Sequence, residues 1–487
     1  MTTRTWSTQQ DAIFAWFATP PQTVEHLIVR ARAGTGKTTT IIEGINRAPE
    51  SKILLCAFNK RIAEELQTRL LNGNATAKTL HAVGYACVRR FWENLRIGTD
   101  RADMLTARVC QQTAPDAIKR LVSKLHTKGR EIQPHAKKLG DLTDIAWQFE
   151  CVPDEQWDES GFDLDYVERM ALRAMELAAS EKPTEIDFAD MIYLPVRNHW
   201  LQKTYDLVVV DEAQDMTVAQ LEIARGVCRG RICVVGDDRQ AIYGFRGADS
   251  GSLDRLKSEL GAAELGLTTT YRCGKAIVEL AAQLVPDFTC GAGMHEGSIE
   301  SIVSDKLVET AQAGAFILSR TNAPLVGTAM ALLRSGKRCR VAGRDIGSGL
   351  KALIRRLKGR SIPDMLAKLA AWQTREVTRF TKAGRTSKID AVIDQAETLA
   401  ALAQDAKGMD DLEVRIDALF TDDGLGQAGI ITCSSVHRAK GLEADTVFIL
   451  RETLRRGGSS QSGQEEENIA YVAITRAKKT LVWVVEV

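Results

Sequence analysis

A chain of 487 residues is long enough for several compact units with cores of their own, so a multidomain protein is expected. Lys+Arg 64 against Asp+Glu 63 leaves no global charge bias, so any polyanionic partner must be met by a local surface. The ten cysteines form no CxxC pair, and no stretch approaches the ~20 apolar residues of a membrane span, which sets aside zinc-ribbon and membrane-spanning classes.

The N-terminus "MTTRTWSTQQDAIFAWF" lacks the apolar segment of a secretory leader, and a cytoplasmic, reducing location with no membrane partner is expected. Within it, Gln9 reads from the residues alone as an exposed position at a helix start. The apolar run "HLIV" then leads into "RARAGTGKTTT". A strand ending abruptly, glycines that free backbone N–H groups, a lysine, a hydroxyl and a following helix are the parts of a phosphate-binding loop. Ala33, Gly34, Thr35, Gly36, Lys37, Thr38 and Thr39 form the expected cradle, with Lys37 on the β/γ-phosphates and Thr38 on magnesium. Ala31 stands where the strict pattern has its first glycine, a small-for-small change.

Beyond "AFNKRIAEEL" and "KTLHAVGY" comes a helical stretch. In it "ARVCQQTAPDAIKRLVSKL" and "DYVERMALRAMELAAS" place apolar residues at three-and-four spacing. "YDLVVVDEAQD" reads as a buried parallel strand ending in two acids, where ligands sit in open α/β sheets. Asp211 can hold a magnesium ion, and Glu212 can orient and deprotonate an attacking water. Alone, such an ending is as easily a solvated turn; beside a phosphate loop it is a hydrolytic pair. "RICVVGDDRQAIYGFRGAD" is another buried strand, flanked by Cys228 and Cys233, which read as buried thiols. It runs into Gln240, suited to sensing a γ-phosphate, and into Tyr243, Phe245 and Arg246, whose flat groups can stack on bases or simply fill a core.

From about Leu265 the strand–helix pattern restarts, with "GAFILSRTN", "GIITCSSVH", "DTVFIL" and "TLVWVVEV" as strands and no second phosphate loop. Between them, "LIRRLKGRSIPDMLAKLAAWQTREVTRFTKAGRTSK" is basic and "IDAVIDQAETLAALAQDAKGMDDLEVRIDALFTDD" acidic. The favoured reading pairs the two as antiparallel helices; the sharper one has Arg355 and Arg356 hold duplex DNA. "RRGGSSQSGQEEEN" reads as a loop.

"AGTGKTT", "VVDEAQD", "GDDRQAIYGFRGA", "TTYRC", "SSVHRAKGLE" and "NIAYVAITRAK" occur in the order of the motifs of superfamily 1 helicases, and the chain resembles their UvrD/Rep branch from Gln9 nearly to its end. "AFNK" and "KTLH" are similar to the shorter forms in phage UvrD-like proteins and F-box DNA helicases. The resemblance implies an α/β fold of two RecA-like P-loop NTPase lobes with parallel sheets, each carrying an inserted, mainly helical domain. The first lobe would take residues 1–85 and 184–262 with insertion 86–183, and the second 263–345 and 427–487 with a short insertion 346–426.

It further implies ATP and Mg²⁺ as cofactors, and single-stranded DNA and its junctions with duplex as partners. Arg272 and Arg476 would be arginine fingers, which suits a motor that binds one ATP between two lobes. Gln9 would read the adenine edge, Tyr271 would stack on the base and Glu443 would contact the ribose. Phe58, Asn59, Lys60, Thr79, His81, Tyr243, Phe245, Arg246 and His437 would meet DNA; "AFNK" is one residue shorter than the commoner form, and Phe245 replaces a frequent tryptophan. The activity implied is an ATP-dependent helicase moving 3′→5′, bacterial or phage-encoded, without a C-terminal extension or nuclease motif. The alternatives are a translocase that needs a partner to unwind and a nucleotide-switched DNA-binding subunit; a simple NTP kinase fits least.

Overall fold

The computed structural model describes residues 5–20, 25–153, 160–242, 252–383, 386–421, 429–454 and 463–486. The chain divides into two units, Met1–Ala31 with Gly36–Leu267, and Arg32–Thr35 with Thr268–Val487.

The first unit is built on a six-stranded, wholly parallel sheet. Its strands lie in the order Ala75–Thr79, Ile53–Ala57, Tyr205–Val210, Cys228–Gly236, Leu27–Ala31 and Ala263–Leu267. Both faces are covered, and the period of two divides the apolar runs between two cores. Ile28, Leu54, Val208, Val210, Ile232 and Val234 face one; Leu27, Val29, Leu55, Leu207, Val209 and Val235 face the other. This double burial is why these strands read as unbroken apolar runs. Cys228 and Cys233 are buried, as expected, and burial raises the pKa of both thiols.

The boundary expected between the lobes shifts here. Ala263–Leu267 pairs in parallel with Leu27–Ala31, so residues 263–267 belong to the first sheet and not to the second lobe. "AELGL" is a half-buried edge strand whose neighbour only the folded chain supplies. The stretch "ARVCQQTAPDAIKRLVSKL", read as helical, falls in two helices, Arg101–Val109 and Asp116–Ile132. Pro115 is the N-cap of the second helix; it lacks an N–H and would break a continuous one. These helices and Leu164–Ser180 enclose a separate core that includes Val122, Leu125, Val167 and Ala171. Arg130, fully buried there, is held by Asp187 at 2.7 Å and Asp190 at 2.6 Å.

The second unit carries another six-stranded parallel sheet, in the order Ser298–Val303, Ala477–Val485, Ala444–Leu450, Phe316–Ser319, Ile431–Ser435 and Cys339–Val341. Four helices intervene before Ile431: Arg344–Leu357, Ile362–Lys382, Thr386–Ala403 and Met409–Leu419. The basic helix Ile362–Lys382 packs on the acidic helix Thr386–Ala403, and the short connection between them makes the pair antiparallel. Most of their buried residues are apolar, Met365, Leu369, Trp372 and Phe380 on one and Val392, Ala396 and Leu399 on the other, but Glu376 and Thr398 are buried as well. Arg356, Arg375 and Arg379 converge on Glu376. Asp394 fastens the acidic helix to the sheet layer by accepting from Asn322 N, Asn322 Nδ2 and Ala323 N at 2.7, 2.8 and 2.9 Å. Among the described residues no helix is long and apolar enough to cross a membrane.

Candidate nucleotide site and nucleic-acid surface

At the carboxyl end of Leu27–Ala31 the chain turns through Gly34 (φ +70) and Gly36 (φ +78), left-handed conformations that L side chains resist. Gly36 is the N-cap of Lys37–Arg47 and offers no side chain, so the helix's first N–H groups keep their capacity for an anion. Ala33 and Thr35 are buried, Thr35 Oγ1 donating to Arg32 O at 2.9 Å. Thr39 Oγ1 accepts from Arg69 at 3.3 Å. The helix Thr8–Ala18 starts with a capping box between Ser7 and Gln10. Gln10 Nε2 donates to Thr40 Oγ1 at 3.0 Å, which ties this helix to the loop's helix and places half-buried Gln9 in its first turn.

Lys37 Nζ lies 3.0 Å from Glu212 Oε2. Asp211 accepts from Glu212 N at 2.9 Å and from the Thr38 hydroxyl. Glu212 itself has φ +51, a strained turn that the surrounding bonds must hold. Two residues not singled out in the sequence complete the arrangement. Gln214, fully buried, donates from Nε2 to Glu212 Oε2 at 2.7 Å, and its Oε1 accepts from Asp237 N at 3.0 Å. Asp237 Oδ2 in turn accepts from Gln240 Nε2 at 2.6 Å. An unbroken series of polar contacts therefore runs Lys37, Glu212, Gln214, Asp237, Gln240. The signal was in "DEAQD" and "GDDRQ": both runs follow buried strands, and neighbouring parallel strands bring their carboxyl ends together.

Burial and the adjacent Glu212 carboxylate push the Asp211 carboxyl up to about 7, while Lys37 opposes them. Burial would lower the Lys37 pKa, but Glu212, Asp237 and Asp211 more than offset it and hold the ammonium above its ordinary value. Three carboxylates around one ammonium leave a surplus of negative charge. With the Thr38 hydroxyl against Asp211, this is a hard-oxygen donor set that suits a divalent cation. The residues fit magnesium. No cluster of three or more His, Cys, Asp or Glu stands ready to cage a metal by itself among the described residues, so substrate oxygens would complete the coordination.

In the second unit, Arg272 Nε meets Glu443 Oε2 at 2.6 Å, so the residue expected on the ribose is engaged by an expected finger. Arg476 is fully buried and donates to Val472 O, Leu442 O and Thr475 Oγ1 at 2.9, 3.1 and 3.1 Å. Burial and the neighbouring Arg272 lower its pKa to about 10, which still leaves it charged at neutral pH. The Tyr271 ring is 46 % exposed and lies against Gly291, where a Cβ would fall 2.7 Å from the ring. Glycine there lets one face of the ring sit on backbone. His437, half-buried, belongs to the short helix Val436–Ala439.

The expected DNA contacts of the first unit gather at the carboxyl ends of two adjacent strands. Phe58 is 44 % exposed after Ile53–Ala57. Asn59 caps the next helix through Oδ1, accepting from Ile62 N at 2.9 Å, which leaves its amide donors for phosphate oxygens; Lys60 is exposed beside Glu64. Thr79 caps Leu80–Phe91 by accepting from Ala82 N at 3.1 Å, and its hydroxyl proton is still available. His81, its pKa lowered by burial, meets the ring of Phe188 edge-on at 6.0 Å. Phe188 is 64 % exposed at the start of its helix, an aromatic within "IDFADMIYLP" that the motif pattern does not mark. Tyr243, Phe245 and Arg246 lie outside the described residues.

Comparison with known proteins identifies the chain's family. Residues 15–261 match the UvrD/REP helicase N-terminal domain, and residues 358–486 the UvrD-like helicase C-terminal domain. The chain is 26 % identical to F-box DNA helicase protein 1 of Schizosaccharomyces pombe, over 94 % of this chain and 55 % of the relative. It is 27 % identical to DNA helicase II of Rickettsia typhi over 58 % of this chain and 46 % of that protein. It is 26 % identical to ATP-dependent DNA helicase UvrD2 of Mycobacterium tuberculosis over 92 % and 75 %. The chain thus spans about half the length of the first two. The chain belongs to the UvrD/Rep-like family of superfamily 1 helicases.

Proposed function

We propose that this protein is an ATP-dependent DNA helicase that moves along single-stranded DNA in the 3′→5′ direction. The observation that carries the ATPase part is the polar series from Lys37 through Glu212, Gln214 and Asp237 to Gln240, joined to Asp211 and Thr38 at one sheet edge. The helicase part is supported by family membership and by the names of relatives, one of them an ATP-dependent DNA helicase.

In this reading the Gly34–Thr39 backbone and Lys37 receive the β- and γ-phosphates of ATP. Magnesium, held by Thr38 and Asp211, would neutralise charge on the phosphate oxygens. As Lys37 turns to phosphate, the Glu212 carboxylate is released to accept a proton from the attacking water. Gln214 holds Glu212 in place and links it to Asp237 and Gln240, so that a change at the γ-phosphate is felt along the strand end. Arg272 and Arg476 supply positive charge for the transition state. Gln9, Tyr271 and Glu443 select the adenosine part of ATP. Phe58, Asn59, Lys60, Thr79, His81 and His437 hold the DNA strand, Phe188 with them, by stacking and by releasable phosphate bonds.

The test is ATP-driven unwinding of matched duplexes bearing a 3′ or a 5′ single-stranded tail, with Glu212→Gln as the inactive control. Opening from the 3′ tail alone is expected. Opening from the 5′ tail alone refutes the polarity, and hydrolysis stimulated by single strands without any opening points to a translocase that needs a partner.

A further inference from the structure

One aromatic and basic surface of the first unit has no part in the site above. Helices Leu80–Phe91 and Phe188–Arg197 pack side by side. His81 and Phe188 meet at their first turns. Where the same two helices end, Phe91 stacks on Trp200 with centroids 4.8 Å apart and 14° between planes, and Trp92 meets that indole edge-on at 4.8 Å. Trp92 and Trp200 are seated against the core of the helical insertion, so the stack is held from below. Phe91 lies outermost and is 46 % exposed. A ring needed only to close that core would turn inward.

Three basic side chains lie close in sequence to the stack. Arg89, Arg90 and Lys203 are exposed, and none of the three forms an ion pair among the described residues. Arg90 donates to Gln202 Oε1 at 2.7 Å, the Arg89 guanidinium lies 5.9 Å from the Tyr85 ring centroid, and Lys52 Nζ lies 5.5 Å from that of Tyr205. Two acids also lie close in sequence, Glu93, exposed, and Asp206, which Arg229 engages at 2.6 Å. A fixed aromatic face flanked by uncompensated guanidinium and ammonium groups matches the chemistry of single-stranded nucleic acid, which offers bases to stack and phosphates to pair.

We propose that Phe91, Arg89, Arg90 and Lys203 form a second platform for single-stranded nucleic acid, with a base on the outer face of Phe91 and phosphates on the three cations. The proposal rests on the reading that the sheet edge with His81 and Phe188 binds single strands. Ten helical residues separate His81 from Phe91, which sets the two platforms about 15 Å apart along the helix. A short strand would occupy the edge alone, and a longer one both. Stacking on a phenyl ring is indifferent to base identity, so the platform would add length dependence without sequence preference.

The test uses the full chain and thymidine oligomers of about 4 and about 16 nucleotides, the span of site sizes in single-strand binding modules. Affinity is followed by fluorescence anisotropy across a salt series. Phe91→Ala should weaken binding of the long oligomer about fivefold or more. Arg89→Glu with Arg90→Glu should make its log K against log salt slope shallower by about 1.4, two lost contacts at ~0.7 each. Both variants should bind the short oligomer, and hydrolyse ATP without DNA, as the unaltered chain does. Unchanged affinity and slope for the long oligomer in both variants overturn the platform alone. If the unaltered chain binds neither oligomer, the functional reading fails and the platform with it. If the variants lose binding of duplex or of a protein but not of the long oligomer, the surface exists for that partner and the proposal is wrong.

Discussion

Lys37 and Glu212 are ion-paired at 3.0 Å, so the lysine expected on phosphate and the carboxylate expected on water hold each other at one sheet edge. In the proposed reading, a phosphate that takes the ammonium frees Glu212 to act as base, which would link nucleotide binding to the onset of hydrolysis. Glu212→Gln should keep nucleotide affinity and lower kcat by ~10²–10⁴, the usual range for losing a general base. Nucleotide titration beside steady-state hydrolysis checks this, and a variant with unaltered kcat would remove Glu212 from the role.

Gln214 touches the base on one side and the backbone of Asp237 on the other. Gln214→Ala would leave a buried N–H unpaired, a cost of about 1–3 kcal/mol. We expect kcat to fall more than KM rises, because the loss is of orientation and not of phosphate contacts. Michaelis curves for the variant decide; a change in KM alone would show that Gln214 serves binding.

Arg272 pairs with Glu443 on a partly exposed surface. Such a pair contributes little to stability, within about 1 kcal/mol, so Arg272→Ala should melt near the unaltered protein. If Arg272 is a finger, hydrolysis should nevertheless fall about a thousandfold or more. Thermal unfolding and single-turnover hydrolysis on the same sample separate the roles: equal turnover would leave Arg272 a salt-bridge residue.

His126 is buried in the helical insertion, its Nε2 within 3.1 Å of Thr106 Oγ1 and of Ala102 O. Burial, then the charge of Arg130, lowers its pKa from 6.5 to about 3. The folded pKa is depressed, so below about 6.5 the unfolded state takes up a proton that the folded state refuses. The stability of the insertion is then complete above pH 6.5 and declines toward pH 3 by at most ~1.4 kcal/mol per unit. Hydrogen-exchange protection of Asp116–Ile132 should fall between pH 7 and pH 5, and His126→Gln should flatten that fall. Equal pH dependence in both proteins would refute the assignment.

The sequence by itself determined the first sheet's buried strands, because double burial writes them as continuous apolar runs, and it marked the glycine turn that follows Leu27–Ala31. Gly34 and Gly36 were legible because positive φ demands glycine, and Lys37, Asp211 and Glu212 because they end such strands. It placed the basic and acidic helices together but not the force between them: most of their buried residues are apolar, and the arginines converge on Glu376 within the basic helix.

Tertiary structure alone decided what depends on neighbours far apart in the chain. The edge strand Ala263–Leu267 has weak local signal and is fixed by Leu27–Ala31. Gln214 and Asp237 became part of the site only when adjacent strands aligned their ends. Phe188 found His81, and Phe91 found Trp200, because two helices begun at distant positions pack along their length. Periodicity records which face of an element is buried; it carries no record of which other element buries it, and that is where side chains from separate segments become one surface.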